Sequence, residues 1–291
     1  MSRLPPANSF SFVISAFVAS LVAFPANAQT PSEAQAKRSY PWARRHSGYE
    51  SLASRLTAPK GFQRTAAKVG SYAHWLRHLP LLPKGSPVRS YRGRVILAAD
   101  RSELAAVVDM DVGKRDRQQC ADTIMRLRGE YLYFGGRAKR TKFRWAGGKR
   151  FGYEHWMRGL RPKKNGRKWT FEPKSRPSRG YRSFRRYLGF MFSWTGTLHQ
   201  QGELRVKAKD ARAGDFFVQG GSPGHAVVIL DVVKNEKGER KALIGQGFMP
   251  AQDLHVLRGK NGSPWFDLGG AQVKTPLWHA FRWSDLRRFR Y

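Results

Sequence analysis

The sequence predicts an α+β fold in which helices come first along the chain and an antiparallel sheet comes last. Two observations carry this prediction. Apolar residues recur at helical spacing in two long stretches before residue 200. After them, three apolar runs rich in β-branched residues are separated by glycine, proline and charged turns. A change of period from helical to extended, with a short hairpin connection between the last two runs, indicates helices packed on an antiparallel sheet.

The first 28 residues predict a secretory signal peptide. An apolar run over residues 10–24 follows Arg3, and Ala26-Asn27-Ala28 forms an A-x-A cleavage pattern. The apolar run is too short for a comfortable membrane span, and no later stretch is long and apolar enough to be one. We therefore expect an exported protein, periplasmic or secreted, whose mature chain begins at Gln29 and has no transmembrane span.

Residues 29–58 mix serine, alanine, arginine and proline with little periodicity, which predicts a disordered linker. From Pro59 onward apolar residues recur steadily, so residues 59–291 are expected to form a single α+β domain. Helices are predicted over 71–79, Arg117–Tyr133 and 181–200. Asp116 and Gln119 have the spacing of a capping box before the second helix. Strands are predicted over 103–112, 214–220, 225–233 and 241–247, with a loop-rich basic insertion at about 137–180.

The charge of the chain is extreme, with a formal net charge of +34 at pH 7. Residues 137–186 alone hold 19 lysines and arginines against two glutamates. Such a surface favours polyanions as partners. Because export disfavours nucleic acid as a natural partner, acidic envelope polymers, peptidoglycan or anionic lipid headgroups remain. A general basic bias that keeps the protein soluble is the alternative interpretation.

Cys120 is the sole cysteine, so the chain forms no internal disulfide. An unpaired cysteine in an exported protein is buried and inert, paired with another chain, or reactive. Cys120 lies at the start of a predicted helix, where backbone amides and the helix dipole lower the pKa of a thiol. Ile124 and Leu127 share its helical face, which also fits a packing role.

His225 is the candidate base for this thiol. A loop rich in glycine and proline delivers it to the start of an apolar strand, where the strand end fixes the ring. Gln246 is the candidate orienting group if the two last strands pair as a hairpin. Asp253 and His255 are alternatives, because the register that decides between them is not fixed by sequence. Gln118 or Gln119 could stabilise an oxyanion.

Other chemistries have little support. Residues 220–224 match G-x-S-x-G, but a strand follows them and Pro223 lacks the amide hydrogen that a serine hydrolase needs there. The chain has no HExxH, CxxC or P-loop pattern and its remaining histidines are scattered, so we expect no metal and no cofactor.

Three segments carry a resemblance to known families: DVGKRDRQQCADTIMRLRGEYLY, GDFFVQGGSPGHAVVILDVV and GQGFMPAQDLHVL. Together they resemble the bacterial domain-of-unknown-function family 4846, from about Gly61 to Phe289. This family occurs in exported proteins and has no established activity. More distantly, a cysteine on a helix followed by a G-D…H pattern is similar to papain-like hydrolases of the NlpC cell-wall class.

The papain-like resemblance implies a fold in which the cysteine-bearing helix packs on an antiparallel sheet. It also implies Cys120 as nucleophile, His225 as base and Gln246 as orienting residue. The QQCAD sequence around Cys120 and the basic insertion depart from that class. The resulting hypothesis is an exported cysteine hydrolase acting on an amide or peptide bond of the cell envelope, with peptidoglycan as one candidate substrate. The alternative is a non-catalytic module that binds acidic envelope polymers through its basic face. The sequence predicts no oligomeric state.

Overall fold

A computed structural model describes residue 1, residues 31–44 and residues 48–290 of the 291-residue chain. The predicted cleavage site, and the signal peptide apart from its first residue, lie outside the described residues. In the described part of the chain, no helix combines the length and hydropathy that a bilayer span requires.

The secondary structure of the described residues alternates short helices with many short strands. In chain order the helices are α1 (Glu33–Ser39), α2 (Leu52–Arg55), α3 (Tyr72–Arg77), α4 (Cys120–Phe134), α5 (Tyr153–Met157), α6 (Tyr181–Trp194) and α7 (Thr197–Gln201). The strands are β1 (Phe62–Arg64), β2 (Val88–Arg89), β3 (Val95–Leu97), β4 (Leu104–Val107), β5 (Lys142–Trp145), β6 (Gly148–Gly152), β7 (Leu160–Asn165), β8 (Lys168–Pro173), β9 (Leu204–Arg205), β10 (Phe216–Gln219), β11 (His225–Asn235), β12 (Arg240–Gln246), β13 (His255–Leu257), β14 (Trp265–Asp267), β15 (Gln272–Val273), β16 (Phe281–Arg282) and β17 (Leu286–Arg288).

The predicted disordered linker differs from what the structure shows for residues 31–44 and 48–58. Ser32 caps α1 through a capping box with Gln35. Tyr40 is buried and donates a hydrogen bond from its hydroxyl to the carbonyl of Trp75 at 2.7 Å. The Trp42 ring centroid lies 6.0 Å from the guanidinium carbon of Arg126, which is itself buried in α4. Burial of these aromatic rings thus orders a segment whose sequence has no helical periodicity, because each ring removes a large apolar area from water.

A nine-stranded antiparallel sheet forms the centre of the molecule and confirms the predicted α+β class. Its main path runs β4-β13-β12-β11-β10-β17-β9, with β1 added to β11 and β14 to β12. The predicted hairpin between the last two long strands is β11–β12, in which Val228 pairs with Gly245. A bulge between Ile229 and Asp231 lets the buried Asp231 accept hydrogen bonds from Arg77 of α3.

The two faces of this sheet bury different clusters. Ala226 and Val228 of β11 pack with α4, whereas Val227 and Ile229 pack on the opposite face with Phe281. This alternation follows from the period of two along a strand. Every residue from Cys120 to Leu127 in α4 is buried, so α4 is enclosed by the fold on all sides of its first two turns. The sheet therefore has a helix-covered face and a second face that is closed by the C-terminal segment.

Several predicted bounds shift in the structure. The helix expected over Arg117–Tyr133 begins at Cys120, with Gln119 as its N-cap residue. The Asp122 carboxylate in the first turn accepts a hydrogen bond from the backbone amide of Gln119 at 3.2 Å. The long helix expected over 181–200 is divided into α6 and α7 at Thr195 and Gly196. The strand expected over 103–112 is reduced to β4.

The basic insertion is more structured than a loop. It holds the hairpins β5–β6 and β7–β8 together with α5. Aromatic side chains from these elements and α6 form a separate core, in which Trp145, Phe151 and Tyr187 are buried. This insertion therefore has its own apolar support beneath a surface of lysines and arginines.

Candidate active site

Three polar side chains from adjacent strands form a hydrogen-bonded chain in the sheet. His225 Nε2 of β11 lies 2.7 Å from Gln246 Oε1 of β12. Gln246 Nε2 lies 3.3 Å from His255 Nε2 of β13, and His255 Nδ1 lies 3.1 Å from the backbone carbonyl oxygen of Asp253. All three side chains are buried. Gln246 thus contacts His225 directly, and His255 is its next neighbour.

The other predicted alternative, Asp253, takes part only through its backbone. Its carboxylate is directed elsewhere, because Oδ2 accepts the backbone amide of Arg89 at 2.9 Å. Asp253 therefore contacts His255 only through its backbone carbonyl, and its side chain does not orient His225.

Aromatic rings enclose the His225 imidazole. Its ring centroid lies 4.7 Å from that of Phe248 and 4.9 Å from that of Trp278. Burial lowers the pKa of His225 to about 4, and the Gln246 hydrogen bond opposes this shift only in part. The ring is therefore neutral at pH 7. Its Nδ1 is buried and has no hydrogen-bond partner among the described residues.

Trp278 is a residue of this site that the sequence analysis does not single out. Its indole Nε1 donates to Gln219 Oε1 at 2.8 Å, and Gln219 pairs with His225 between β10 and β11. This contact holds the loop after β15 over the imidazole. The sequence of this loop has no periodicity that would predict its position. Gln219, however, is a polar residue at the end of an apolar strand, and pairing of that strand with the strand of His225 would have indicated Gln219 as a neighbour of the site.

Cys120 is the first residue of α4, as a helix-borne nucleophile would be. Its side chain is buried, and burial raises the pKa of the thiol to about 11. The backbone amide of Ala226, which follows His225, interacts with the sulfur and lowers this pKa only in part. The sequence analysis expected a lowered thiol pKa. The structure reverses that direction, because removal from water outweighs the amides at the helix start.

Cys120 and His225 reach the same end of β11 from different faces of the sheet. The sulfur approaches Ala226 on the α4 side, while the imidazole contacts Phe281 in the cluster on the other side. Because His225 Nδ1 has no partner, no hydrogen bond joins it to the thiol. The structure therefore places the two side chains on different faces at one end of β11, as neutral groups that no hydrogen bond joins.

The end of β12 lies close against the start of α4. A Cβ at Gly247 would lie 2.5 Å from Thr123 Oγ1, so a side chain at this position would push the strand away from the helix.

Gln118 Oε1 accepts a hydrogen bond from Arg126 at 2.6 Å, and its Nε2 is buried without a partner in the described part of the chain. The side-chain amide of Gln119 instead donates a hydrogen bond to Asp116 Oδ1 at 3.0 Å. Of the two candidate oxyanion donors, Gln118 is the one with an unused amide.

A cavity of about 270 Å³ lies between the end of α6, the first residues of α7 and the turn before β11. Trp194, Thr197, Leu198 and Gly221 are among its lining residues. A Cβ at Gly224 would lie 2.3 Å from Thr197 Oγ1, so α7 packs directly against the residue that precedes His225. Neither Cys120 nor His225 lines this cavity, and α7 is the element that connects it to the start of β11.

The structure also places the residues of the discounted motifs. Ser222 is exposed in the turn before β11, and a strand follows it, as the sequence analysis expected. Within residues 31–44 and 48–290, no three His, Cys, Asp or Glu side chains are grouped as metal ligands would be.

Comparison with known families gives one result. The model of a family described as a domain of unknown function (4846) matches residues 52–288. The chain belongs to this family. The match covers α4, the central sheet and every residue of the candidate site, and it confirms the family resemblance seen in the sequence. No curated protein and no solved structure matches the chain.

Proposed function

We propose that the protein is an exported cysteine hydrolase with a papain-like arrangement, which cleaves an amide or peptide bond of the cell envelope. Peptidoglycan peptides are the substrate class to test first. The observation that carries the proposal is the buried chain from His255 through Gln246 to His225. It fixes the His225 ring at the start of β11, next to Ala226, whose backbone amide contacts the Cys120 sulfur, and it leaves the Nδ1 atom of that ring without a partner in the described residues.

The proposed reaction begins from a neutral thiol and a neutral imidazole. As the Cys120 sulfur attacks the substrate carbonyl carbon, the thiol proton moves to His225 Nδ1. The tetrahedral intermediate collapses, the carbon–nitrogen bond breaks, and the imidazolium gives its proton to the leaving amine. Water then attacks the thioester and transfers a proton to His225, and the departing thiolate of Cys120 takes that proton back.

The raised pKa of Cys120 and the lowered pKa of His225 argue against a thiolate–imidazolium pair at rest. Proton transfer must therefore be coupled to attack on bound substrate. Hydrogen bonds in ligand-free catalytic sites are often long and tighten only when substrate binds. Because the two side chains lie on different faces of the sheet, the proposal requires that substrate binding move one of them around the end of β11 until the sulfur lies within hydrogen-bond distance of Nδ1.

Groups near the sulfur are suited to stabilise the negative oxygen of the intermediate. The backbone amides of Cys120, Ala121 and Ala226 all act on the sulfur. Gln118, two residues before Cys120 in the chain, has an unused side-chain amide, and we propose it as a further donor that substrate binding would recruit. Removing one such donor from an oxyanion site commonly lowers kcat by about 10²–10³-fold.

The cavity beside α7 is the proposed substrate entrance. It combines the Trp194 ring, the Thr197 hydroxyl and the exposed Leu198 with backbone groups at Gly221. A mixture of an aromatic surface and a few polar groups is typical of sites that bind small polar substrates.

The test uses the mature chain and purified peptidoglycan, with release of new amino groups as the measurement. Wild type should release amines, and Cys120→Ser should lose this activity while keeping its thermal midpoint, because the change in side-chain volume is small. Gln246→Ala should retain partial activity, since it only orients the ring. His78→Ala is a matched control, because His78 is also a buried histidine whose ring nitrogens lack partners. Activity that survives in Cys120→Ser, or a wild-type chain that releases no amines, would contradict the proposal.

A second candidate function is favoured by a separate observation. The tip of the β7–β8 hairpin exposes four cations on a support of aromatic residues. These cations, called the hairpin tip below, are Lys163, Lys164, Arg167 and Lys168. They form a surface suited to acidic envelope polymers, whether the protein is a hydrolase or a non-catalytic binding module.

A further inference from the structure

The hydrogen-bonded chain of the candidate site ends at a group that can only accept. The backbone carbonyl of Asp253 has no hydrogen to donate, and it lies 3.1 Å from His255 Nδ1. His255 Nδ1 must therefore carry a hydrogen. In a neutral imidazole this leaves His255 Nε2 as an acceptor.

That acceptor determines the orientation of the next amide. Gln246 presents its NH₂ group to His255 Nε2 at 3.3 Å, so its oxygen faces His225. The oxygen accepts a hydrogen from His225 Nε2. In neutral His225 the lone pair then lies on Nδ1, which is the atom without a partner in the described chain.

The opposite orientation of the Gln246 amide is costly. Its oxygen would face His255 Nε2, which would then need a hydrogen as well as Nδ1, so His255 would be a cation. Burial lowers the pKa of His255 to about 4, and no carboxylate is hydrogen-bonded to its ring in the described residues. A neutral His255 and the Asp253 carbonyl together leave one consistent pattern of hydrogens.

We infer that His255 is a positioning residue which, through Gln246, holds His225 in the tautomer with hydrogen on Nε2 and a free lone pair on Nδ1. This tautomer is the one that can accept the Cys120 proton. The role in hydrolysis rests on the proposed function, whereas the tautomer itself does not.

The experiment measures the tautomer directly. The folded mature chain, labelled with ¹⁵N-histidine, is examined by long-range ¹H–¹⁵N correlation spectra at pH 7, and His225→Gln identifies the signals of that ring. In wild type His225 Nδ1 should have the shift of an unprotonated nitrogen and Nε2 that of a protonated one. A wild-type spectrum with hydrogen on Nδ1 would overturn the inference without any variant.

Two substitutions test whether His255 is the cause. His255→Phe removes the acceptor, so the Gln246 amide is free to reverse and hydrogen should appear on His225 Nδ1. His255→Gln offers a carbonyl acceptor again and should restore the wild-type pattern. His78→Phe is the matched control for loss of a buried imidazole and should leave His225 unchanged. A His255→Phe protein that folds and keeps the wild-type tautomer would show that His255 does not set it.

Activity gives a second readout and separates the two proposals. If the hydrolase proposal is right, His255→Phe should lower kcat by about 10-fold or more, as loss of general-base efficiency does, with KM little changed. His255→Gln should recover most of the rate. If wild type has the expected tautomer but hydrolyses nothing, the proposed function fails and the positioning role of His255 stands. If His255→Phe does not fold, His255→Leu removes the acceptor with a smaller side chain, and its spectrum decides whether His255 sets the tautomer.

Discussion

The ionisation of Cys120 is the property that most sharply tests the physical basis of the site. The perturbation is a pH series of alkylation by iodoacetamide on wild type and on His225→Ala. Because Cys120 is the sole cysteine, every alkylated molecule reports this thiol. Burial raises its pKa to about 11, and the neutral His225 adds no positive charge that would lower it.

The magnitude follows from the thiolate fraction. At pH 7.5 a pKa of about 11 leaves roughly 0.03 % thiolate, against about 9 % for a free thiol with a pKa of about 8.5. The ratio is about 300. A more basic thiolate is also more nucleophilic, by about 13-fold for a Brønsted slope near 0.45, so ionisation alone slows alkylation by about 20-fold. Shielding of the buried sulfur slows it further.

Mass spectrometry of timed samples measures the rate, with the same protein in urea as the reference for an exposed thiol. The native rate should be at least about 20-fold lower at pH 7.5 and should still be rising at pH 10. His225→Ala should show the same pH dependence. A native rate that levels off below pH 8.5, and does so only when His225 is present, would reveal a thiolate–imidazolium pair and refute the neutral resting state.

Two further predictions concern charge. Burial lowers the pKa of His78, His225 and His255 to about 4. Histidines in the unfolded chain have pKa values near 6.5, so below that pH the unfolded chain binds more protons than the folded chain. Each of the three residues should therefore lower the free energy of unfolding by about 2 kcal/mol as the pH falls from 7 to 5. Urea midpoints at the two pH values measure this loss, and equal midpoints would contradict it. Binding to an acidic polymer such as teichoic acid should weaken steeply with salt and should fall when the hairpin tip is changed to glutamine. The matched control changes four exposed lysines elsewhere, Lys234, Lys237, Lys260 and Lys274. Equal losses in both variants, or affinity that is flat with salt, would mean that the hairpin tip is not the binding surface.

The sequence predicts the sheet end of the site well because its parts are local. The β11–β12 hairpin follows from two apolar runs joined by a charged turn, and it brings Gln246 to His225. The choice between Gln246 and His255 depends on register and on a third strand. In the structure Gln246 pairs directly with His255, so both belong to one chain and do not compete for one role.

The properties of Cys120 were harder to predict because they depend on distant segments. The order of residues 31–44 comes from contacts with α3 and α4, such as Tyr40 with Trp75, which join residues 35 positions apart. The helix start suggests a lowered thiol pKa, yet the sign is decided by how completely the sheet and the surrounding elements remove the sulfur from water. Long-range packing of this kind leaves no periodic signal in the sequence.

The polar chain on the second face of the sheet is difficult to explain by stability alone. His225, Gln246 and His255 occupy positions that continue an apolar row, since Val227 of β11 and Ile244 of β12 lie on the same face. A buried polar atom without a partner costs about 1–3 kcal/mol, and this chain ends in one at His225 Nδ1. Apolar side chains of similar size would avoid that cost. Residues that destabilise the fold are concentrated at functional sites. A buried nitrogen with an unpaired lone pair is such a feature, and that lone pair is free to accept a proton. The unpaired Nδ1 at the start of β11 is therefore the strongest physical argument that this end of the sheet performs chemistry.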